Sequence, residues 1–371
     1  MSRYNAPSDT TGRVLYIDYA KALGMLLIIW GHVKLTGVSN EFVYAFHIPL
    51  FFFLSGMVFN RDRYVDFGHF LSKKVRSLLI PYAVFSLLTW ILWVAYSFLT
   101  HADVDSIWRP LLQTFIAQGS GGFLVHNVPL WFVTCLFVVE MIYWFVSKLK
   151  DSLNVTLCVV LAIVGFCLDN RCDVWDFRLM PWSIDVAMMA IIFFALGNQI
   201  VKHVSTERFM GWVDSHRLLS WLWVIVGFAL TAFIGHLNGA VSMGHARLGN
   251  NPFVFYFGAF SGTFAMLVLC MLLTSINENH RWDKLSSRLA WFGQHSFDAM
   301  AIHNPIRQIV MVVVAIALQT TSDGISENNL QSLLSFVATL AVTVVGILII
   351  QKIRMRTKHQ DIIKRKSPLS I

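Results

Sequence analysis

Three ionisable residues, Asp18, Lys21 and His32, stand in or at the mouth of one apolar stretch near the start of the chain, residues 17–37. Such side chains are costly in a segment suited to a bilayer interior, and they mark sites of chemistry. On an α-helix, Lys21 and His32 lie about 20° apart around the axis, with Asp18 within about 60° of both. Lys21 sits about 16 Å below His32 along that axis. The stripe therefore begins with a cation suited to an anionic group. It ends with an imidazole that can take a proton or carry a transferred group.

Two more histidines reach the same level. A turn near Ser39 and Asn40 sends the next apolar segment back antiparallel, so His47 is expected at the depth of His32 and Ser55 at that of Gly24. Gly24 and Gly56 are expected to let these first two helices approach closely. Near the C-terminal end, Ser296 and His303 are seven residues apart, hence on one helical face, with His303 again at the depth of His32. Three histidines at one level imply a shared cavity. Plainer readings stand beside this one: Asp18 and Lys21 as an i,i+3 ion pair, and His32 or His47 as packing histidines, the latter beside Pro49. Glu140, Asp185, His236 and Asp298 read as packing or cavity polar groups.

These residues need helices to position them, and the composition supplies little else. Of 371 residues, 56% are hydrophobic and 13% charged, where a soluble domain carries about a quarter charged. A bilayer span takes about 20 mostly apolar residues. Ten such stretches are expected, near 17–37, 42–60, 78–100, 129–147, 153–170, 182–201, 218–237, 253–274, 290–317 and 330–351. The ninth is expected to kink or break at Pro305. The fold class is thus all-α, a polytopic transmembrane helical bundle. Its segments are a leader at 1–16, a membrane domain at 17–351 and a basic tail at 352–371. The leader precedes an apolar stretch that carries Asp18, Lys21 and His32 with no small-residue cleavage site, so no removable signal peptide is expected.

The net charge of +8 is a topology signal, not a nucleic-acid footprint. With the N-terminus cytoplasmic, 22 of the 29 lysines and arginines fall on the inner side, while five (Lys34, Arg109, Arg171, Arg178 and Arg247) fall outside. That bias puts both termini in the cytoplasm. The five cysteines have no metal-ligand spacing, and no metal is expected. The outer loop at 101–128 holds a glycine-rich stretch, Gly119 to Gly122, and is expected to dip into the interface or close as a lid.

Several segments resemble the acyltransferase-3 family of membrane acyltransferases. IDYAKALGMLLIIWGH (Ile17 to His32) resembles its opening helix, in which a basic residue and a histidine are separated by ten residues. FHIPLFFFLSGMVF (Phe46 to Phe59) resembles its second helix. In KKVRSLLIPY (Lys73 to Tyr82), Lys73 and Arg76 stand where the family has a paired arginine motif. PLWFVTCLF (Pro129 to Phe137) and FGQHSFDAMAIH (Phe292 to His303) resemble later motifs. The wording is closest to the fucose 4-O-acetylase-like branch. Lysines at 21 and 73 keep the charge of the family's arginines but lose the bidentate fork. The extracytoplasmic hydrolase-like domain of some members is not in this sequence, so transfer is expected to finish within the membrane domain or on its acceptor directly.

The resemblance implies transfer of an acetyl or other short acyl group from acyl-coenzyme A to a hydroxyl of a surface or lipid-linked carbohydrate, in a bacterial inner membrane. His32 would serve as general base or as a transient acyl carrier. Lys21, Lys73 and Arg76 would hold the coenzyme's phosphates, with Ser55, Ser296 or Trp131 as oxyanion donors. Asp18, His47 and His303 complete the expected site. The competing class is a transporter or flippase of a glycan or small anion, against which the lack of a visible inverted repeat counts.

Overall fold

A computed structural model describes residues 14–33, 38–100, 104–119, 123–172, 180–277, 283–321, 324–325 and 328–366. The leader through Arg13, Lys34, Ser120 to Gly122, Arg178 and Arg281 lie outside the described residues, as do the Arg171 and Cys172 side chains. The chain is helical throughout, with no strand among the described residues.

The helices are α1 (Leu15–His32), α2 (Val38–Val58), α3 (Phe67–Lys74), α4 (Ile80–Leu99), α5 (Arg109–Gln113), α6 (Trp131–Val146) and α7 (Asp151–Cys172). They continue as α8 (Ile184–His203), α9 (Thr206–Ser215), α10 (Arg217–Asn238), α11 (Pro252–Asn277), α12 (Asp283–Gln294), α13 (Ser296–Ala317) and α14 (Asn329–Lys366). Nine helices among the described residues are long and apolar enough to cross a membrane, so the protein is a multi-pass membrane protein. They answer to the second through tenth expected spans. The first, α1, is 18 residues long and carries Asp18, Lys21 and His32.

Burial sorts the bundle into two shells. The spans of α2, α6, α8 and α11 are 61–67% buried, whereas those of α3–α4, α7, α10 and α14 are only 22–28% buried and turn leucines and valines outward. At the centre, α1 packs against α2, α11, α12 and α13. The helix that carries Asp18, Lys21 and His32 is thus wrapped by four others, which shields its polar residues from lipid.

Glycines set the closest approaches. Gly24 of α1 faces Leu50 and Phe51 of α2, as expected. Gly56 does not face α1. It lies against the Phe194 carbonyl of α8, while Gly197 of α8 lies against the Phe53 carbonyl of α2, so the tight crossing is α2 on α8. Asn198 then donates to the Phe59 carbonyl at 2.9 Å and accepts from the Tyr143 hydroxyl at 3.1 Å, tying the end of α2 to α6.

Two helix boundaries differ from expectation. The third span begins at Phe67, so Lys73 and Arg76 lie inside a helix that passes through a π-helical turn, Val75–Leu79, just before Pro81. The long ninth span does break, but at His295 between α12 and α13, where the Gly293 backbone packs on the Asp18 carbonyl. At Pro305 the helix runs on. Proline has no N–H for the carbonyl four residues back, and an unmet carbonyl in a membrane bundle is costly. The Asn127 side chain supplies the missing donor, reaching the Ala301 carbonyl at 2.7 Å. Asn127→Ala is expected to cost about 1–3 kcal/mol, and Pro305→Ala in the same chain to recover most of it by restoring the backbone bond. Thermal unfolding of the four variants as a double-mutant cycle reads the coupling, and additivity would refute it.

Candidate active site

The stripe on α1 connects two different environments. At its lower end Asp18 and Lys21 line a cavity of about 920 Å³ with the loop Asn60, Arg61, Asp62 and Arg63 and with Lys202 of α8. Charges of both signs meet there. Lys202 is held by Asp151 at 2.5 Å, and Asp18 accepts a bond from Gln294 at 3.0 Å. The guanidinium of Arg61 rests over the Trp144 ring at 5.8 Å. The volume suits a nucleotide-sized ligand.

Lys73 and Arg76 are not in this cavity. They are exposed and line a separate hollow of about 460 Å³ with His69, Ser72 and Ser77. The same end of the bundle holds both, because Phe67 and Phe70 pack on Trp144 beside the 61–63 loop. The intervening Lys74 turns inward to the buried carboxylate of Glu140, 2.7 Å away. Asp298 is likewise gripped by Arg354 through two 2.8 Å bonds, and His236 pairs with Glu41 at 3.0 Å.

At the upper end the structure gathers His32 and His303 as a ring pair with centroids 5.2 Å apart. His303 is buried, and its Nδ1 donates to the Met300 carbonyl at 2.9 Å and the Ala299 carbonyl at 3.1 Å. That fixes Nε2 as a bare acceptor, and it has no hydrogen-bond partner among the described residues. His47 is held the same way, with Nδ1 on the Val43 carbonyl at 2.7 Å. His32 is partly buried, and no hydrogen bond to a described residue restrains its ring. Its electrostatic neighbours are His303, Arg307 and His47. The three histidines expected at one level therefore do converge.

Ser55 and Ser296 lie lower. The Ser55 hydroxyl donates to the Phe51 carbonyl at 2.8 Å. It is eight residues, about 12 Å, from His47, and Ser296 is about 10 Å along α13 from His303. Trp131 lies against Gly119 and Gly244, which belong to two loops between helices.

Sequence reasoning missed Tyr44, His126, Asn127, Asn304 and Arg307. The Tyr44 ring lies on Gly31 and meets His47 edge-on at 4.9 Å. Asn304 accepts from the Arg307 Nε at 3.2 Å. Arg307 had a legible signal: it is a further ionisable group in the span that holds Asp298 and His303, one turn beyond His303 and on the same face. His126 is 1% exposed, with neither ring nitrogen bonded among the described residues.

Burial pushes the His126 imidazole down to about 4 from an ordinary 6.5. The unfolded chain therefore takes up a proton as pH falls below 6.5 while the folded site stays neutral until about pH 4. Stability present at pH 7 is lost across that window. Melting temperatures from pH 7 to 4 should fall less in His126→Gln, by a difference worth roughly 3 kcal/mol at the acid end. Parallel curves would show that this histidine does not carry the effect.

No group of three or more His, Cys, Asp or Glu residues close enough to hold a metal ion occurs among the described residues. The sequence profile of the acyltransferase-3 family, an acyltransferase domain, matches residues 14–352. No curated protein and no solved structure matches the chain. The matched stretch takes in both ends of the α1 stripe and every helix that surrounds it, and the chain belongs to the acyltransferase-3 family of membrane acyltransferases.

Proposed function

We propose that this acyltransferase moves an acetyl or other short acyl group from acyl-coenzyme A to a hydroxyl of a surface or lipid-linked carbohydrate, with His32 as the general base. The observation that carries this reading is the α1 stripe, which joins a charged, nucleotide-sized cavity at Lys21 to the His32–His303 pair. The basic-residue bias puts the Lys21 end and both termini in the cytoplasm, where acyl-coenzyme A is made.

In this mechanism Lys21, with Arg61 and Arg63 of the cavity and Lys73 and Arg76 nearby, holds the phosphates. Asp18 and Gln294 fix the mouth of the stripe. The acyl-pantetheine arm lies along α1, passing the levels of Ser296 and Ser55, and brings the thioester to His32. The neutral imidazole takes the proton of the acceptor hydroxyl as its oxygen attacks the thioester carbonyl. The oxyanion collapses, the C–S bond breaks, and the thiolate leaves with the proton that His32 accepted. The Tyr44 hydroxyl, beside the histidines, is the donor proposed for the oxyanion. His47 and His303, their Nδ1 protons committed to carbonyls, keep acceptor nitrogens turned to the site. The unmet buried polar atoms of His303 and of Asn127, which bonds α13 at Ala301, favour a polyhydroxyl acceptor, since each needs a hydrogen bond that sugar hydroxyls provide.

The test is full-length protein in nanodiscs with radiolabelled acetyl-coenzyme A and a panel of glycan acceptors, fucosylated ones included. Label appearing on a sugar hydroxyl supports the reading. Movement of a glycan across the membrane with no acyl transfer would replace it with the transporter reading. Burst kinetics with label on His32 would replace direct transfer with an acyl-enzyme.

A further inference from the structure

The cations set into the bundle have acidic partners in two of the three clearest cases. Lys74 has Glu140, and Arg354 has Asp298. Arg307 is the exception. It is half-buried in the span of α13, one turn beyond His303, and no carboxylate pairs with it among the described residues. Its one hydrogen bond there is from Nε to the Asn304 side-chain carbonyl at 3.2 Å, which leaves the terminal nitrogens and their four N–H donors uncommitted. An arginine at membrane depth without a counter-charge is expensive to keep, and its cost is repaid when it meets an anion.

The surroundings say where that anion would lie. Arg307 is an electrostatic neighbour of His32, His303 and Tyr44, so its guanidinium borders the histidine pair. It lies about 6 Å along α13 from His303, on the side away from the Lys21 cavity. A donor arriving from that cavity does not reach past the histidines, so the group beside Arg307 belongs to the acceptor. The planar guanidinium fork matches a carboxylate or phosphate oxyanion with two parallel bonds.

We propose that Arg307 recognises an anionic group on the acceptor, a carboxylate or phosphate carried within about one sugar residue of the acylated hydroxyl. This rests on the reading of the site as a carbohydrate acyltransferase, but its test does not require turnover. Purified full-length protein is titrated by thermal shift with glucuronate and glucose 1-phosphate, each against glucose, at constant ionic strength. Wild type is expected to bind the charged sugars roughly tenfold or more tightly than glucose, the worth of a charge-assisted pair. Arg307→Gln should abolish that preference. Arg307→Lys, which keeps the charge and guards against a folding defect in the glutamine variant, should keep part of it. Equal stabilisation by charged and neutral sugars, or none by either, overturns the proposal, as does a preference that survives in Arg307→Gln. Transfer assays on neutral and anionic acceptors then separate the two readings. Label on neutral sugars alone sinks the anion site and leaves the acyltransferase reading standing.

Discussion

Replacing His32 with alanine is expected to lower acyl transfer by roughly a hundredfold to ten-thousandfold, the range for losing a positioned general base. The fold should barely notice. The ring is partly buried, has no hydrogen bond to a described residue, and packs against the His303 ring. His303→Ala makes a useful contrast, because it removes a fully buried ring bonded to two carbonyls and so costs stability as well. Initial rates with labelled donor, taken beside melting temperatures, separate the two. Transfer by His32→Ala within a few-fold of wild type, at an unchanged melting temperature, would remove His32 from the chemistry.

A large effect on stability should come from Gly56→Ala. A Cβ there would fall on the Phe194 backbone carbonyl, and the reciprocal change at Gly197 would fall on that of Phe53. A flexible side chain could swing aside, but a helix backbone moves only if α2 and α8 separate. That would in turn pull Asn198 from the end of α2. A loss of about 3 kcal/mol, the upper part of the usual overpacking range, is expected. Gly211→Ala is the matched control, since nothing lies within 4 Å of the added carbon in α9 and alanine favours the helix. Gly56→Ala melting like that control would show that the crossing is looser than described.

Much of this was legible in the sequence, for definite physical reasons. Hydrophobic length yields spans, because lipid forces every backbone polar group into helices. Periodicity gives face and depth, which sufficed for His32, His47 and His303. It does not give neighbours. Gly56, expected against α1, packs on α8, and Lys73 and Arg76, expected with Lys21, line a different hollow. Proline was over-read: Pro305 interrupts a helix only if the carbonyl it strands finds no donor, and Asn127 lies far away in the chain. Tyr44 escaped notice because a tyrosine near a span end reads as an interfacial anchor.

The helix that carries the stripe is also one that a bilayer accepts less readily than the nine apolar spans, and it is made before every helix that surrounds it. Asp18, Lys21 and His32 keep α1 out of the set of nine strongly apolar helices. Its eventual wrapping comes from α2, α11, α12 and α13. Three of those four are synthesised more than two hundred residues later. Biogenesis must therefore hold α1 in an incomplete setting until the C-terminal half arrives. Assembly of the surroundings of α1 is then a late event, so a nascent chain or truncated product has the stripe without the helices that enclose it.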